Sequence, residues 1–319
     1  MTLPTPQRAQ ELERIQQVRW AEHALNNGPI FAATYHGVSN IPVELSYAIG
    51  KCGTWLAFKM MHRITSALVG NLRTVFPELP EQRLREMALL TYRSYAFDTI
   101  DFIRSLSKPP DELARSVVDL DRSVFERLLA KGRGILLVAA HFGSWELGAL
   151  LVRKLLGYPL TIVAMAEPSR GVNRFRSHMR TSLGIELLEV RQSINTPLQI
   201  RRRLAENRIV AMLVDRFLGR DHIAVRFCGE RAHFLKTPSL LSYLCEAPML
   251  PAWVIRDREG RFRCFIDDPV YALRSGDRDT ALHRATQAIA NGLEARIREY
   301  PHLWYQFYPF WESQKTADS

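Results

Sequence analysis

Long uncharged runs are scarce in this sequence, and their scarcity limits how the protein can meet a membrane. Near the N-terminus, residues 24–43 contain no Asp, Glu, Lys or Arg, and this stretch includes two prolines and three asparagines. Such a stretch makes a poor spanning helix. The opening residues, MTLPTPQRAQELER, lack the apolar core of a signal peptide. We therefore expect no transmembrane segment.

Cysteine pairs and nucleotide-binding motifs are also missing. The 319 residues include four cysteines, with no C-x-x-C pattern. A disulfide framework and a zinc site are therefore not expected. No G-x-G-x-x-G, P-loop or H-E-x-x-H sequence occurs, which argues against dinucleotide binding, P-loop nucleotide hydrolysis and zincin chemistry. We expect no metal and no bound cofactor.

Charge, by contrast, is plentiful and unbalanced. The sequence has 43 Lys and Arg against 33 Asp and Glu, a formal net charge of +10. This excess suggests an anionic partner, either nucleic acid or an anionic membrane surface, or only a basic solvated surface. Neither aromatic–basic RNA motifs nor a helix-turn-helix pattern is present, so we expect no nucleic-acid partner.

From about residue 115, short apolar runs alternate with helical patterns. This alternation predicts an α/β fold with a mainly parallel sheet flanked by helices, and an N-terminal helical segment packed on it. The predicted strands are 115–120, 134–140, 160–166, 185–190, 209–214, 223–227, 249–256 and 261–267. The predicted helices are 7–25, 81–106, 121–131, 144–156, 171–183, 194–206, 237–246 and 278–299. We expect one domain over residues 1–319, with a helical part at 1–110, a catalytic core at 111–312 and a tail at 313–319.

Residues 42–70 are apolar with isolated charges, and two interpretations remain open. Tyr47, Trp55, Phe58 and Met61 have spacings that suit one face of a helix. The segment is either a pair of core helices or a helix in contact with a membrane interface.

The stretch ILLVAAHFGSWEL, residues 135–147, combines a strand with candidate chemistry. His141 ends the apolar run, Gly143 permits a turn, Ser144 is placed to cap a helix, and Glu146 falls in its first turn. From there Glu146 can reach the imidazole and make it a better base. The free N–H groups at the helix start can bind an anion or an oxyanion. The alternative is a structural histidine at a strand end.

The same residues resemble a known family. The run from His141 to Glu146 resembles the H-x-G-N-W-E form of the H-x(4)-D/E motif in the lipid A late (lauroyl/myristoyl) acyltransferase family, of the lysophospholipid acyltransferase-like superfamily. Further segments resemble the family in the same order along the chain. They are residues 71–79 (NLRTVFPEL), 173–184, 214–215, 225–229 (VRFCG), 237–238, 247–256 and 300–311.

The resemblance implies a site without an acyl-enzyme. His141 would deprotonate an acceptor hydroxyl, and Glu146 would orient His141. Arg180 would bind an acceptor phosphate or stabilise the oxyanion, and Asp215 would hold Arg180 or the acceptor; a structural ion pair is the alternative for both. Three further residues are candidates for substrate-binding or supporting roles, namely Arg73, Ser144 and Asn173.

The resemblance also implies the partners. The donor would be acyl-ACP or acyl-CoA, a co-substrate rather than a cofactor. The acceptor would be a lipid or glycolipid, met at an anionic membrane surface on the cytoplasmic face of the bacterial inner membrane by a peripheral protein. Three departures from the family stand out: no N-terminal transmembrane helix, Ser144 in place of Asn, and Arg216 in place of Gln. They leave open another lipid acceptor, such as a lysophospholipid or a phosphatidylinositol mannoside, or a non-catalytic membrane-binding protein.

Overall fold

The computed structural model describes residue 35 and residues 37–165, 170–190, 195–217 and 219–314. Its architecture is α/β, with a seven-stranded, mainly parallel sheet covered by helices on both faces. A helical segment precedes the sheet in the chain and packs on its helices. The predicted fold class is therefore confirmed. The predicted helix over residues 7–25 lies outside the described residues.

Most elements agree with the predicted segments, but the strand predicted over residues 115–120 is confined to Val117–Val118, and the helices Pro110–Arg115 and Phe310–Gln314 were not predicted. The strands are β1 (Val117–Val118), β2 (Ile135–Ala139), β3 (Leu160–Ala164), β4 (Glu186–Glu189), β5 (Ile209–Leu213), β6 (His222–Phe227), β7 (Glu230–Leu235), β8 (Met249–Arg256) and β9 (Phe262–Ile266). The α-helices are α1 (Val43–Met60), α2 (His62–Val75), α3 (Glu81–Ser107), α4 (Pro110–Arg115), α5 (Arg122–Leu129), α6 (Trp145–Lys154), α7 (Arg170–Ser182), α8 (Asn195–Ala205), α9 (Thr237–Cys245), α10 (Arg278–Glu299) and α11 (Phe310–Gln314). A 3₁₀ turn (Pro301–Leu303) follows α10.

The central strand of the sheet is β2. The strand order is β1-β9-β8-β2-β5-β3-β4, and only β8 and β9 run antiparallel within it. Because β2 lies between β8 and β5 and runs parallel to both, the carboxyl ends of all three strands meet at one edge of the sheet. Ligands of open parallel sheets bind beyond this edge.

Alternate residues of β2 enter two separate cores. Leu136 and Val138 pack with α8, α9 and α10, whereas Ile135 and Leu137 pack with α5 and the end of α6. All four side chains are buried. This division follows from the period of two in a strand, and it explains why the strand reads as a continuous apolar run.

One strand, β7, was not predicted. It forms an antiparallel hairpin with β6, and the turn consists of Cys228 and Gly229, both with positive φ. This is the conformation of a tight hairpin turn, in which Asn-Gly or Asp-Gly is the usual signal. A cysteine in the first position gives no such signal, and the polar residues Glu230, Arg231 and His233 hid the strand.

The apolar segment over residues 42–70 forms α1 and the first part of α2. Both interpretations have a structural basis, because Phe58 is buried against α2 and α3 while Trp55 is 51% exposed. None of the described helices is long and apolar enough to cross a membrane.

Candidate functional site

The loop after β2 is held by backbone hydrogen bonds to the end of the chain. The N–H of Tyr305 donates to the carbonyl of His141 (2.7 Å), and the N–H of Gly143 donates to the carbonyl of Leu303 (2.8 Å). Phe142 and Trp304 form an antiparallel bridge between these hydrogen bonds. The position of His141 therefore depends on a segment more than 160 residues further along the chain.

The carboxylate beside the His141 ring is that of Asp215. His141 Nδ1 lies 2.8 Å from Asp215 Oδ1, and the backbone N–H of His141 donates to both carboxylate oxygens, at 3.2 and 3.1 Å. The expected partner, Glu146, does not occupy this position. The described contacts of Asp215 also do not include Arg180, whereas its expected contact with the acceptor stays a prediction. The side chain of His141 is 12% exposed, whereas that of Asp215 is fully buried.

Asp215 is kept ionised by its surroundings. Burial alone would raise the pKa of Asp215, but the charge and hydrogen bonds of His141 and the charge of Arg216 hold this pKa below its ordinary value. Gln306 Nε2 donates to Asp215 Oδ2 at 2.5 Å, and Trp304 Nε1 approaches the same oxygen at 3.4 Å. A buried carboxylate with this many donors is a fixed acceptor for Nδ1–H.

Glu146 lies in the first turn of α6, as predicted, but it contacts arginines of α7. Its Oε1 is 3.3 Å from Arg180 Nη2 and 4.0 Å from Arg176 Nη1. All three side chains are about one-fifth exposed or less. Sequence spacing suggested a partner five residues back, whereas the tertiary structure supplies partners one helical turn apart on another element.

The start of α6 also differs from expectation. Ser144 occupies the N-cap position, but its side chain makes no cap hydrogen bond. The N–H groups of Gly143, Ser144 and Trp145 donate to the carbonyls of Leu303, Val254 and Gly143. These three donors are therefore engaged within the protein, and the Arg180 guanidinium is a nearby positive group that can meet an anion.

Two other predicted residues lie away from His141. Arg73 forms an ion pair with Glu81 on the surface, where both side chains are more than half exposed. Asn173 Nδ2 donates to Glu189 Oε1 (3.2 Å), which links α7 to the end of β4. The described contacts place neither residue against the His141–Asp215 pair.

Sequence reasoning missed two residues that hold the site. Gln306 bridges Asp215 and Arg216, because its amide nitrogen donates to the first and its oxygen accepts from Arg216 Nε at 3.0 Å. Asn71 in turn donates to the carbonyls of Gln306 and Tyr308, and accepts from the N–H of Phe310. Both residues fall inside or beside segments with family resemblance, which was the available signal.

A second buried carboxylate, Asp98 of α3, lies behind the His141 loop. The hydroxyl of Tyr305 donates to Asp98 Oδ2 at 2.6 Å, and the backbone of Tyr305 binds His141. Burial raises the pKa of Asp98 to about 7, although the hydrogen bond from Tyr305 lowers it. Ser144 is close enough to lower this pKa as well. Helix α3 thus contributes to the support of the site.

A cavity of about 130 Å³ opens between α6 and the sheet. Its described lining is mostly aliphatic and aromatic, and its charged members are Glu146 and Arg180. Trp145 also lines the cavity, and its ring lies 5.4 Å from that of His141 between centroids. The cavity therefore has a charged part at Glu146 and Arg180, an apolar body that reaches Phe125 of α5, and a lining residue, Trp145, beside the histidine.

The turn at Gly143 should tolerate no side chain. Gly143 has φ +58, and a Cβ there would overlap the carbonyl oxygen of Val254. We expect Gly143→Ala to lower the free energy of unfolding by about 2 to 4 kcal/mol, which combines left-handed strain with overpacking. The control is Gly132→Ala, which shares a positive φ but meets no atom within 4 Å. Urea denaturation measures both variants, and equal losses would contradict the steric explanation.

Asp98 should make stability depend on pH. At pH values below about 4 this carboxyl is protonated in the folded and unfolded chains alike. Between about pH 4 and pH 7 only the unfolded chain ionises, because the folded pKa is about 7, so rising pH favours unfolding. Asp98→Asn removes this effect. The difference in free energy of unfolding, Asp98→Asn minus wild type, should rise by at most about 4 kcal/mol between pH 4 and pH 7 and then level off. Urea denaturation at several pH values, with the exposed Asp279→Asn as control, provides the test; a flat difference would contradict the assigned pKa.

Comparison with known proteins gives the family. A family model described as "Bacterial lipid A biosynthesis acyltransferase" matches residues 26–313. A phosphatidylinositol mannoside acyltransferase of Mycobacterium tuberculosis strain H37Rv is 28% identical over 211 residues, which cover 65% of this chain and 62% of the relative. The enzyme of the same name from Mycolicibacterium smegmatis is 30% identical over 61% of this chain and 62% of its own length.

A third relative acts in lipid A biosynthesis. It is a lipid A biosynthesis lauroyltransferase of Escherichia coli K12, which is 32% identical over 35% of this chain and 37% of its own length. The chain spans less than two thirds of the length of these curated relatives. The family model, however, covers most of the chain, and the resemblance drawn from the motifs is confirmed: the chain belongs to the bacterial lipid A biosynthesis acyltransferase family.

Proposed function

We propose that the protein transfers a fatty acyl chain from an acyl thioester, acyl-ACP or acyl-CoA, to a hydroxyl of a lipid or glycolipid. The observation that carries this proposal is the His141–Asp215 pair beside Trp145, which lines a mostly apolar cavity. A base that a buried carboxylate orients is suited to activating a hydroxyl. A mostly apolar cavity next to it is suited to an alkyl chain.

The proposed chemistry starts at the imidazole. With Nδ1–H donated to Asp215, the lone pair of the neutral ring is on Nε2. Nε2 takes the proton of the acceptor hydroxyl, and the oxygen attacks the thioester carbonyl carbon. The tetrahedral intermediate collapses, the carbon–sulfur bond breaks, and the imidazolium returns the proton to the leaving thiolate. Asp215 stabilises the imidazolium during the transfer.

Direct transfer is favoured because the pKa values of two buried cysteine thiols are raised. Cys264 lines the cavity, but burial, with a contribution from Asp119, raises the pKa of its thiol to about 12. Burial, with Glu294, likewise raises the pKa of Cys228 to about 12. A thiol that stays protonated at neutral pH is a poor nucleophile. We therefore infer a general-base mechanism without an acyl-enzyme.

Glu146 and Arg180 are assigned to the charge that develops on the substrate. The guanidinium is held by Glu146 at the charged end of the cavity. There it can donate to the oxyanion of the tetrahedral intermediate or to a phosphate of the acceptor. In this proposal Glu146 positions an arginine and not the histidine.

The acceptor need not be lipid A. The relatives with the broader alignments are named for phosphatidylinositol mannosides. Arg216, which replaces the family's usual Gln, donates to Gln306 Oε1 and the carbonyl of Tyr305 and lies over the Tyr308 ring. A changed residue next to Asp215 favours a changed acceptor. We propose a glycolipid acceptor at the cytoplasmic face of the bacterial inner membrane, where the protein would be peripheral. Lipid mass spectrometry of cells with and without the protein identifies the acceptor.

The base and its partner are tested by substitution. We expect His141→Ala and Asp215→Asn each to lower kcat/KM for acyl transfer about 10²-fold or more, because the first removes the base and the second its tautomer control. Glu146→Gln should cost less than Asp215→Asn. The matched control is His283→Ala, an exposed histidine on α10. Release of thiol from a purified donor gives the rate. Full activity in His141→Ala, or a larger loss in Glu146→Gln than in Asp215→Asn, would contradict this mechanism.

The cavity is tested by filling it. Ala149 and Ala211 line it from α6 and β5. We expect Ala149→Leu and Ala211→Leu to shorten the preferred acyl chain by about three methylenes, because each leucine adds three carbon atoms. Ala205→Leu, on an exposed position of α8, is the control. Mass spectrometry of the products from a mixture of donors measures chain length. An unchanged length with unchanged rate would place the acyl chain elsewhere.

A further inference from the structure

Helix α1 carries a solvent-facing apolar surface. Ten large hydrophobic residues are exposed in the described part of the chain, and five of them lie on this helix. They are Leu45 (49% exposed), Ile49 (56%), Trp55 (51%), Leu56 (51%) and Met60 (67%). The concentration of half of them in 18 residues distinguishes this surface from single exposed leucines elsewhere, which are ordinary.

Four of these residues occupy one side of the helix. Leu45, Ile49, Leu56 and Met60 are separated by four, seven and four positions, so they fall within a narrow arc at 100° per residue. The opposite side packs on α3, where the Tyr47 ring lies 4.9 Å from that of Phe97 between centroids. An apolar helix that is packed on one side and open on the other needs a second apolar environment.

Positive charges border this surface. Lys51, Lys59 and Arg63 are exposed along α1 and the start of α2, and Glu44 is the acidic residue at the start of α1. Basic side chains beside an apolar face are typical of helices that lie in a bilayer interface with anionic lipids. Trp55 adds a residue type that is favoured at this depth. The charge argues for lipid over a second copy of the same basic surface, because like charges repel.

Helix α1 lies at the edge of the sheet that carries His141. The hydroxyl of Tyr47, on α1, donates to Asp101 Oδ1, and Arg256 Nε lies 2.9 Å from Asp101 Oδ2. Arg256 is the last residue of β8, and β8 runs parallel to β2. The carboxyl end of β8, which holds α1 through Asp101, is therefore on the same edge as His141.

We propose that α1 docks the protein on an anionic lipid surface, with Leu45, Ile49, Leu56 and Met60 inserted among the acyl chains. Lys51, Lys59 and Arg63 meet the anionic headgroups. The helix axis lies in the plane of the interface, so α1 does not cross the bilayer. This inference rests on the proposed function in one respect, namely that docking would bring the His141 edge of the sheet to a lipid acceptor. Vesicle binding itself is measured without catalysis.

The test compares two matched triple variants. Ile49→Gln/Leu56→Gln/Met60→Gln alters the proposed surface. Leu198→Gln/Leu244→Gln/Leu273→Gln alters three exposed leucines of nearly the same exposure, at 53%, 50% and 64%, on other parts of the protein. Thermal unfolding by circular dichroism should be the same for both variants, because all six side chains are exposed.

Binding is measured by co-sedimentation with vesicles of phosphatidylglycerol and phosphatidylcholine in equal parts. We expect the α1 variant to lose about 100-fold in partition coefficient, and the control variant to bind like the wild type. Wild-type binding should fall with added salt and fall strongly on vesicles of phosphatidylcholine alone. Trp55 emission, obtained as the difference from Trp55→Phe, should shift to shorter wavelength on vesicles.

Other results would overturn the proposal. Equal vesicle binding by the α1 variant and the wild type would do so. A wild-type dimer that the α1 variant converts to a monomer, with vesicle binding unchanged, would assign the surface to a second copy. A loss of thermal stability in the α1 variant alone would assign it to another part of this chain. Failure of the proposed function looks different: the wild type would bind vesicles through α1 yet transfer no acyl chain from either thioester to any lipid acceptor supplied.

Discussion

The hydrogen bond between His141 and Asp215 depends on the parallel pairing of β2 with β5. In this pairing Ala139 lies opposite Leu213 and the N–H of Val214 donates to the carbonyl of Ala139, so the residues two positions beyond each strand end also lie side by side. A slip of one residue would turn the buried side chains of β2 to the wrong faces. The two cores that hold the register, one on each face of β2, therefore also set the geometry of the candidate base.

Buried polar groups connect the candidate base to helices α2 and α3 and to the segment after α10. Gln306 and Trp304, from the segment after α10, donate to or approach Asp215. Tyr305 of the same segment binds His141 through its backbone and Asp98 of α3 through its hydroxyl. Asn71 of α2 donates to the carbonyl of Gln306. Buried carboxylates are costly without partners, and here each one is held by donors from other elements. The N-terminal helices are thus part of the support of the site, although they contribute no group to the proposed proton transfer.

The sequence predicted the elements well and the contacts of the site less well. Fully apolar strands and capped helices leave local signals, so His141, Gly143 and Glu146 fall where the pattern placed them, after β2, in the turn and in the first turn of α6. The partner of His141 leaves no local signal, because it depends on which strands become neighbours. Asp215 also follows an apolar strand by two residues, and the strand order needed to pair it with His141 became visible only in the fold. The partners of Glu146 were missed for the same reason, because Arg176 and Arg180 belong to another helix, α7.

The arrangement of the two substrates follows from the edge of the sheet. An acyl chain in the cavity between α6 and the sheet would place its thioester near Glu146 and Arg180, at the charged end. In the proposed function, a lipid acceptor brings its hydroxyl to His141 while it is still in the membrane, and this requires that edge to face the bilayer. Arg256 and Asp101 hold α1 at the same edge, and α1 exposes its apolar side to solvent. A helix that lies in the membrane interface can hold this edge toward the bilayer as well as a transmembrane helix would. Several inserted side chains then fix the orientation of the protein, rather than a single flexible connection.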